Sequence, residues 1–250
     1  WENGRMRDLG TIGGSAVQVI NSMNNSGQFV GAMNVAGDQS FHPFLWDGRS
    51  LRDLGTLGGD WASANWVNEP GDVVGWAWNS GNQVSHAFLW QKGAVIDLGT
   101  VDGDPNSEAF VVNSRRQVVG ATQDDNFNYV HAFLWERGSM ADLNALIVPL
   151  DGNVQLNAAV GLNERGEIVA QGTLPNGDQH AYLLVPCDEN HQDVDGCDYS
   201  IEAGGATNAA PPIPVVQGAR AQHVITSELL RSLLRHSTLS YHARERRPQN

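Results

Sequence analysis

One period runs through this chain and constrains its fold more than any other feature. Trp1-Glu-Asn-Gly-Arg-Met-Arg-Asp8-Leu9-Gly10-Thr11 returns at Trp46–Thr56 and Trp90–Thr100, with a weaker copy from Trp135 through Asp142 and Leu143; the tryptophans are 45, 44 and 45 residues apart. A second block reads His42-Pro-Phe-Leu-Trp46, His86-Ala-Phe-Leu-Trp90, His131-Ala-Phe-Leu-Trp135 and His180-Ala-Tyr-Leu-Leu184. A third reads Gly27-Gln-Phe-Val-Gly31, Gly71-Asp-Val-Val-Gly75, Arg116-Gln-Val-Val-Gly120 and Gly166-Glu-Ile-Val-Ala170. Fixed self-similarity of this length marks a repeat architecture, in which each copy is one supersecondary unit that buries its apolar face on a neighbour.

Each copy holds four short segments rich in Val, Ile, Phe and Trp, bounded by Gly, Asn, Asp or Ser, which read as strands between tight turns. The 28 glycines suit a chain that turns so often. Four strands in about 45 residues is one β-propeller blade. The expected fold is therefore all-β: a propeller of four blades with four strands each, plus a C-terminal tail. The Trp1–Leu9 segment would pair with Ala181–Val185 and close the ring, removing the free edge between first and last blades. An open β-solenoid is the alternative architecture. The propeller would span 1–186, a disulfide-pinned acidic loop 187–203, and a linker, short basic amphipathic helix and disordered tail 204–250.

The His-Ala-Phe motifs at His86–Phe88 and His131–Phe133, with Pro43 and Tyr182 departing in the outer copies, resemble the HAF-repeat family of extracellular bacterial repeat proteins. The resemblance covers residues 1–199 and includes Leu143-Asn-Ala-Leu-Ile-Val-Pro149 and Pro186-Cys-Asp-Glu-Asn-His191. It implies repeat architecture and secretion, and carries no general activity.

Charge and cysteine usage point to the same compartment. The formal net charge is −13, although the last 32 residues hold six arginines against two glutamates, so the remainder is more acidic still. An acidic body repels nucleic acid backbones, and no apolar run reaches the roughly 20 residues of a membrane span, so neither nucleic acid nor membrane is an expected partner. Cys187 and Cys197 flank a polar loop without zinc-site spacing, and read as a disulfide in an oxidising compartment, extracellular or periplasmic. The chain opens at Trp1 inside a repeat, so a leader and earlier repeats are expected to have preceded it.

Several recurring residues are candidates for chemistry. His86 and His131 suit general bases facing a central channel, because imidazole titrates near neutrality. The structural alternative is that the repeated histidines tie strands to turns. Asp8, Asp53, Asp97 and Asp142 precede Leu-Gly or Leu-Asn and read as turn caps. Asn21, Asn68, Asn113 and Asn163, each after an apolar residue, present amide oxygens that several blades could bring to one axis around Ca²⁺, which takes 6–8 oxygen ligands; their structural reading is turn formation. Asp188, Asn190, Asp193 and Asp195 in the cysteine loop form a second calcium candidate, although Tyr199 stands where an EF-hand needs glutamate. Trp61, Trp66, Trp76 and Trp78 have Gly14, Val19, Ala32 and Asn34 as their counterparts in the first copy. Aromatics that break the repeat are not needed for the shared fold, and fit a wall for a small apolar or sugar-like ligand.

No serine-hydrolase elbow, zinc-protease helix, P-loop or dinucleotide fingerprint occurs. Two functional expectations follow. One is a calcium-dependent hydrolase of lactones or esters, with a channel metal polarising the carbonyl and His86 or His131 activating water. The other is a non-catalytic extracellular binding module for glycan or protein.

Overall fold

A computed structural model describes residues 4, 6–101, 103–147 and 154–187. Over these residues the protein is all-β, with fifteen strands, one short 3-10 turn at Leu143–Ala145 and no α-helix. The strands follow the sequence period. Unit 1 holds β1 (Val17–Met23), β2 (Phe29–Asn34), β3 (Phe41–Trp46) and β4 (Leu51–Asp53). Unit 2 holds β5 (Gly58–Val67), β6 (Val73–Asn79), β7 (Ser85–Gln91) and β8 (Ala94–Gly99). Unit 3 holds β9 (Asn106–Val112), β10 (Val118–Gln123), β11 (Tyr129–Glu136) and β12 (Ser139–Asp142), and unit 4 holds β13 (Gln155–Leu162), β14 (Ile168–Thr173) and β15 (Gln179–Leu184). Each unit is an antiparallel meander of consecutive strands. A single parallel bridge, Phe41 to Trp61, joins the sheets of units 1 and 2.

The repeated blocks have a packing reason. The second strand's glycine lies opposite the third strand's aromatic: Gly31 faces Phe44, Gly75 faces Phe88 and Gly120 faces Phe133. Those three phenylalanines are at most 1% exposed. A Cβ on Gly120 would lie 2.0 Å from the Glu108 carbonyl oxygen and 2.7 Å from the Phe133 ring. The missing side chain is what lets the ring lie across the strand and the first strand approach from the other side. Unit 4 replaces the pair by Ala170 and Tyr182.

The core lies between units. Val30, Leu45 and Leu54 of unit 1 pack with Ala64, Val67, Val73 and Phe88 of unit 2. Val74, Leu89 and Leu98 of unit 2 meet Ala109, Val112, Val118 and Phe133 of unit 3. Val119, Leu134 and Leu143 of unit 3 meet Leu156, Ile168, Tyr182 and Leu184 of unit 4. Burying each large side chain contributes about 1.5–3 kcal/mol, so the stacking of units, and not any one sheet, carries the apolar stabilisation.

The two ends of the stack depart from the expectation of a closing N-terminal strand. Met6–Gly10 carry no strand, and among the described residues β15 pairs with β14 alone. On β1, Ile20 and Met23 are 60% and 71% exposed, whereas Ala64 and Val67, at the same positions of unit 2, are buried. The guanidinium of Arg7 instead lies 5.3 Å from the Trp46 ring centre, as Arg52 lies 5.9 Å from Trp90. Cys197, the acidic loop with Asp188, Asn190, Asp193 and Asp195, and the tail 204–250 lie outside the described residues. No helix among the described residues is long and apolar enough to cross a membrane.

Candidate ligand-binding surface

The hairpin turns between the first and second strands hold the recurring asparagines. Asn68 Oδ1 accepts the Asp72 N–H at 2.7 Å, and its Nδ2 donates to the Asn113 carbonyl of the next unit at 3.0 Å. Asn113 Oδ1 accepts the N–H groups of Arg115 and Gln117, and its Nδ2 donates to Gln117 Oε1 and, at 3.1 Å, to the Asn163 carbonyl. Asn163 Oδ1 accepts the N–H groups of Arg165 and Glu167. The result is a ladder of side-chain amides running from unit to unit. The amide oxygens that calcium would need are thus engaged by backbone N–H groups of their own turns.

The ladder corrects one alignment. Its first rung is Asn24, whose Nδ2 donates to the Asn68 carbonyl at 2.9 Å and whose Oδ1 accepts the Gln28 N–H. Asn21 sits three residues earlier and donates to the Ala64 carbonyl, as Asn65 does to Ala109. It is a rung of a second, shorter ladder, not the counterpart of Asn68.

The histidines pair with carboxylates. His42 Nδ1 lies 2.8 Å from Asp53, and His86 Nδ1 lies 2.9 Å from Asp97. Each pair joins the third and fourth strands of one unit, and each aspartate also accepts a turn N–H, from Gly55 or Gly99. Asp8 caps Gly10 and Asp142 caps Asn144 in the same way. Burial pulls the Asp53 and Asp97 carboxyls upward, but the histidine and glycine hydrogen bonds outweigh it and hold both below the ordinary carboxylate range. His131 breaks the pattern: its Nδ1 contacts Asp104 at 2.7 Å, and Thr122 Oγ1 donates to that same carboxylate at 2.5 Å. His180 stacks on Tyr182. An aspartate that fixes a histidine tautomer is half of a general-base arrangement. Its recurrence at His42 makes it a property of the repeat.

The tryptophans divide. Trp66 is half-buried against the cores on both sides of unit 3. The other three stand with neighbouring aromatics toward the surface. Trp61 meets Trp78 edge to face, with ring centres 6.1 Å apart, and Trp78 meets Phe127 at 6.0 Å. Trp76 meets Phe41 at 6.1 Å, and Phe110 meets Tyr129 at 5.5 Å. Trp61, Phe127 and Tyr129 are 38%, 48% and 43% exposed. Exposed aromatics from units 2 and 3, with Phe41 of unit 1, thus form a strip across three units. Polar groups border it: Asn82 Nδ2 donates to Asp60 at 2.6 Å beside Trp61, and Asp124 accepts from Asn126 and Asn128 around Phe127.

Glu108 was not among the residues singled out from the sequence. Its Oε1 accepts from Asn65 Nδ2 at 2.8 Å and its Oε2 from the Tyr129 hydroxyl at 3.3 Å. Burial pushes the Glu108 carboxyl above its ordinary range, and the two neutral donors only partly oppose it. Burial and the Glu108 charge push the Tyr129 hydroxyl up to about 12. A carboxyl raised in the folded state favours folding below its unfolded range, and that contribution is lost as pH rises through the folded pKa. Glu108→Gln, whose amide oxygen can still accept from Asn65 while its Nε2 donates to the Tyr129 hydroxyl, is therefore expected to raise the melting temperature at pH 7 and to leave it nearly unchanged at pH 4. An equal shift at both pH values would show that charge is not the cause. In the same variant the Tyr129 midpoint, followed by phenolate absorbance, should move down toward 10.

Among the described residues no three His, Cys, Asp or Glu side chains are grouped to hold a metal ion. Comparison with known proteins finds no matching family model, no matching curated protein and no matching solved structure.

Proposed function

We propose that this chain is a secreted, non-catalytic binding module of the HAF-repeat type, built from propeller blades arranged in an arc, that holds a glycan on its aromatic strip. The observation that carries the reading is the chain of rings Trp61–Trp78–Phe127, with polar side chains on its border. Sugar rings stack their C–H faces on aromatic side chains while their hydroxyls hydrogen-bond to carboxylates and amides, and a strip of this composition offers both. The repeat fold closes its other units without these rings, so their presence in units 2 and 3 calls for a role outside packing.

The hydrolase expectation draws less from the same geometry. His86 and His131 lie in separate units, each held by its own carboxylate, and the ladder asparagines direct their oxygens to backbone N–H groups.

The test is a titration of the intact protein with soluble oligosaccharides of the cellulose, xylan and chitin types, read by tryptophan fluorescence and calorimetry. Saturable binding to one class is the expected result. No signal with any of the three would overturn the glycan assignment. Calcium-dependent turnover of lactone or aryl ester substrates would overturn the non-catalytic one.

A further inference from the structure

We infer that the aromatic strip takes its glycan as an amino sugar with free, cationic amines, a glucosamine oligomer in preference to a neutral or uronate one. The inference rests on the glycan reading above and adds the charge of the ligand to it. It follows from how the repeat sorts charge between the two ends of its strands.

In an antiparallel meander the turns alternate between the ends of the strands. Turns joining first to second and third to fourth strands lie at one end. The turn joining second to third strands and the connection to the next unit lie at the other. Every lysine and arginine among the described residues belongs to the first end. Arg49, Lys92 and Arg137 stand in the turns between third and fourth strands, and Arg115, Arg116 and Arg165 in those between first and second. Arg7 and Arg52 lay their guanidinium groups over Trp46 and Trp90, at that same end of the third strands.

The aromatic strip lies at the other end. Trp61 comes early in β5 and Trp78 late in β6, Phe127 stands in the turn before β11, and Phe41 and Tyr129 begin β3 and β11. With them stand Asp38, Asp60, Asp124, Asp125 and Asp178, none of them in an ion pair among the described residues. Asp60 directly precedes Trp61, and Asp124 and Asp125 belong to the turn that carries Phe127. The Ser15 N–H holds the Asp38 carboxyl below its ordinary range, and hydrogen bonds from Asn128 do the same for Asp124, so both stay ionised in mild acid. The nearby histidines, His42, His86 and His131, are each offset by their own carboxylate, Asp53, Asp97 and Asp104.

An anionic face of aromatic rings complements a sugar that carries an ammonium group. Ring faces attract the ammonium, and carboxylates bind it through charge-assisted hydrogen bonds, the stronger kind. A uronate chain would bring like charge to a face with no lysine or arginine to receive it. An N-acetylated chain keeps the stacking and loses the ion pairs. The free amine therefore decides among sugars that the rings alone would accept alike.

The test is calorimetric titration of the whole chain at about pH 6, where aspartates are ionised and amines carry their proton. It compares a glucosamine oligomer with its N-acetylated counterpart of equal length, an oligogalacturonate and an oligolysine. The glucosamine oligomer is expected to bind at least about tenfold tighter than the N-acetylated one at low salt. That advantage should shrink at about 1 M salt, where the screening length falls to about 3 Å. Asp60→Asn/Asp124→Asn/Asp125→Asn removes three charges and keeps an oxygen to accept from Asn82, Asn126 and Asn128. It should abolish the preference and leave affinity for the N-acetylated oligomer within about twofold. Asp125→Asn alone, at an exposed side chain, should reduce the preference in the same direction without burdening the fold.

Equal or tighter binding of the N-acetylated or uronate oligomer would overturn this inference and leave the glycan reading standing. Binding of no oligosaccharide, neutral or charged, would overturn both. Oligolysine held as tightly as the glucosamine oligomer, and unaffected by Trp61→Ala, would show that charge alone suffices and would overturn the amino-sugar assignment. So would a preference that survives both high salt and the Asp→Asn changes, because charge would not be its cause.

Discussion

Asn113→Ala is expected to cost about 3 kcal/mol, because the substitution removes four hydrogen bonds of a buried side chain, each contributing about 0.5–1.5 kcal/mol net. Asn113 is 2% exposed and its amide makes four hydrogen bonds: two accepted from Arg115 and Gln117 N–H, one donated to the Gln117 side chain and one to the Asn163 carbonyl. Alanine restores none of them. Roughly 2–4 °C of melting temperature per kcal/mol in a chain of this size gives a fall of about 10 °C. Asn21→Ala is the comparison: that side chain is exposed and donates one bond, so less than about 1 kcal/mol should be lost. Thermal melts of both variants, each with calcium and with EDTA, decide between a ladder and a metal. On the ladder account, the loss in Asn113→Ala is the same in both buffers. A calcium-dependent rise in the parent that disappears in Asn113→Ala would instead place the ion among these amides.

The unit boundaries were legible because the period of the pattern is a period of packing. Glycine opposite phenylalanine is visible in the sequence as two blocks in phase, Gly75 with Phe88 and Gly120 with Phe133, and the register realises both. The His–Asp pairs were legible in part. His42 precedes Asp53, and His86 precedes Asp97, by the same interval, since strands three and four are joined by a tight turn. His131 should have met Asp142 on that rule. Asp104 precedes the whole of unit 3, and nothing in the spacing marks it as the partner.

The slip from Asn24 to Asn21 has a local cause: Ile20-Asn21 and Met23-Asn24 are both apolar residues followed by asparagine. The distance to the turn residue settles it. Asn24 accepts the Gly27 N–H as Asn68 accepts that of Gly71, three residues on in each case. Glu108 left no signal of its own. Its counterpart in unit 2 is Ser63 and in unit 4 Ala158, and its environment is made by Asn65 and Tyr129, 43 and 21 residues away along the chain. The aromatic strip was legible as a breach of the repeat, but not in its extent. Phe41 and Phe127 join it only because adjacent units stack, and Trp66 leaves it for the core.

The second large effect belongs to that strip. Replacing Trp61 and Trp78 together by alanine is expected to weaken glycan binding by about 100-fold, while either single change costs about tenfold, each tenfold step being 1.4 kcal/mol. The rings touch each other at 6.1 Å, and Trp78 also supports Phe127 at 6.0 Å. Removing Trp78 therefore takes away one stacking face and the support of a second, so it should be the more damaging single change. Trp61 is 38% exposed and Trp78 half-buried, and neither belongs to the inter-unit cores. The variants should accordingly fold, with losses well below the 3–5 kcal/mol of a core tryptophan. Trp66→Phe serves as the internal control, because Trp66 contacts the cores on both sides of unit 3. It should lower the melting temperature with little change in affinity. Calorimetric titration of the four variants against the oligosaccharide that the parent binds, with a thermal melt of each, reads both quantities on the same samples. Binding unchanged in the Trp61→Ala/Trp78→Ala protein would remove the strip as the seat of recognition. Equal losses of binding and stability at all three positions would show that the rings act through the fold, and not by contact with the ligand.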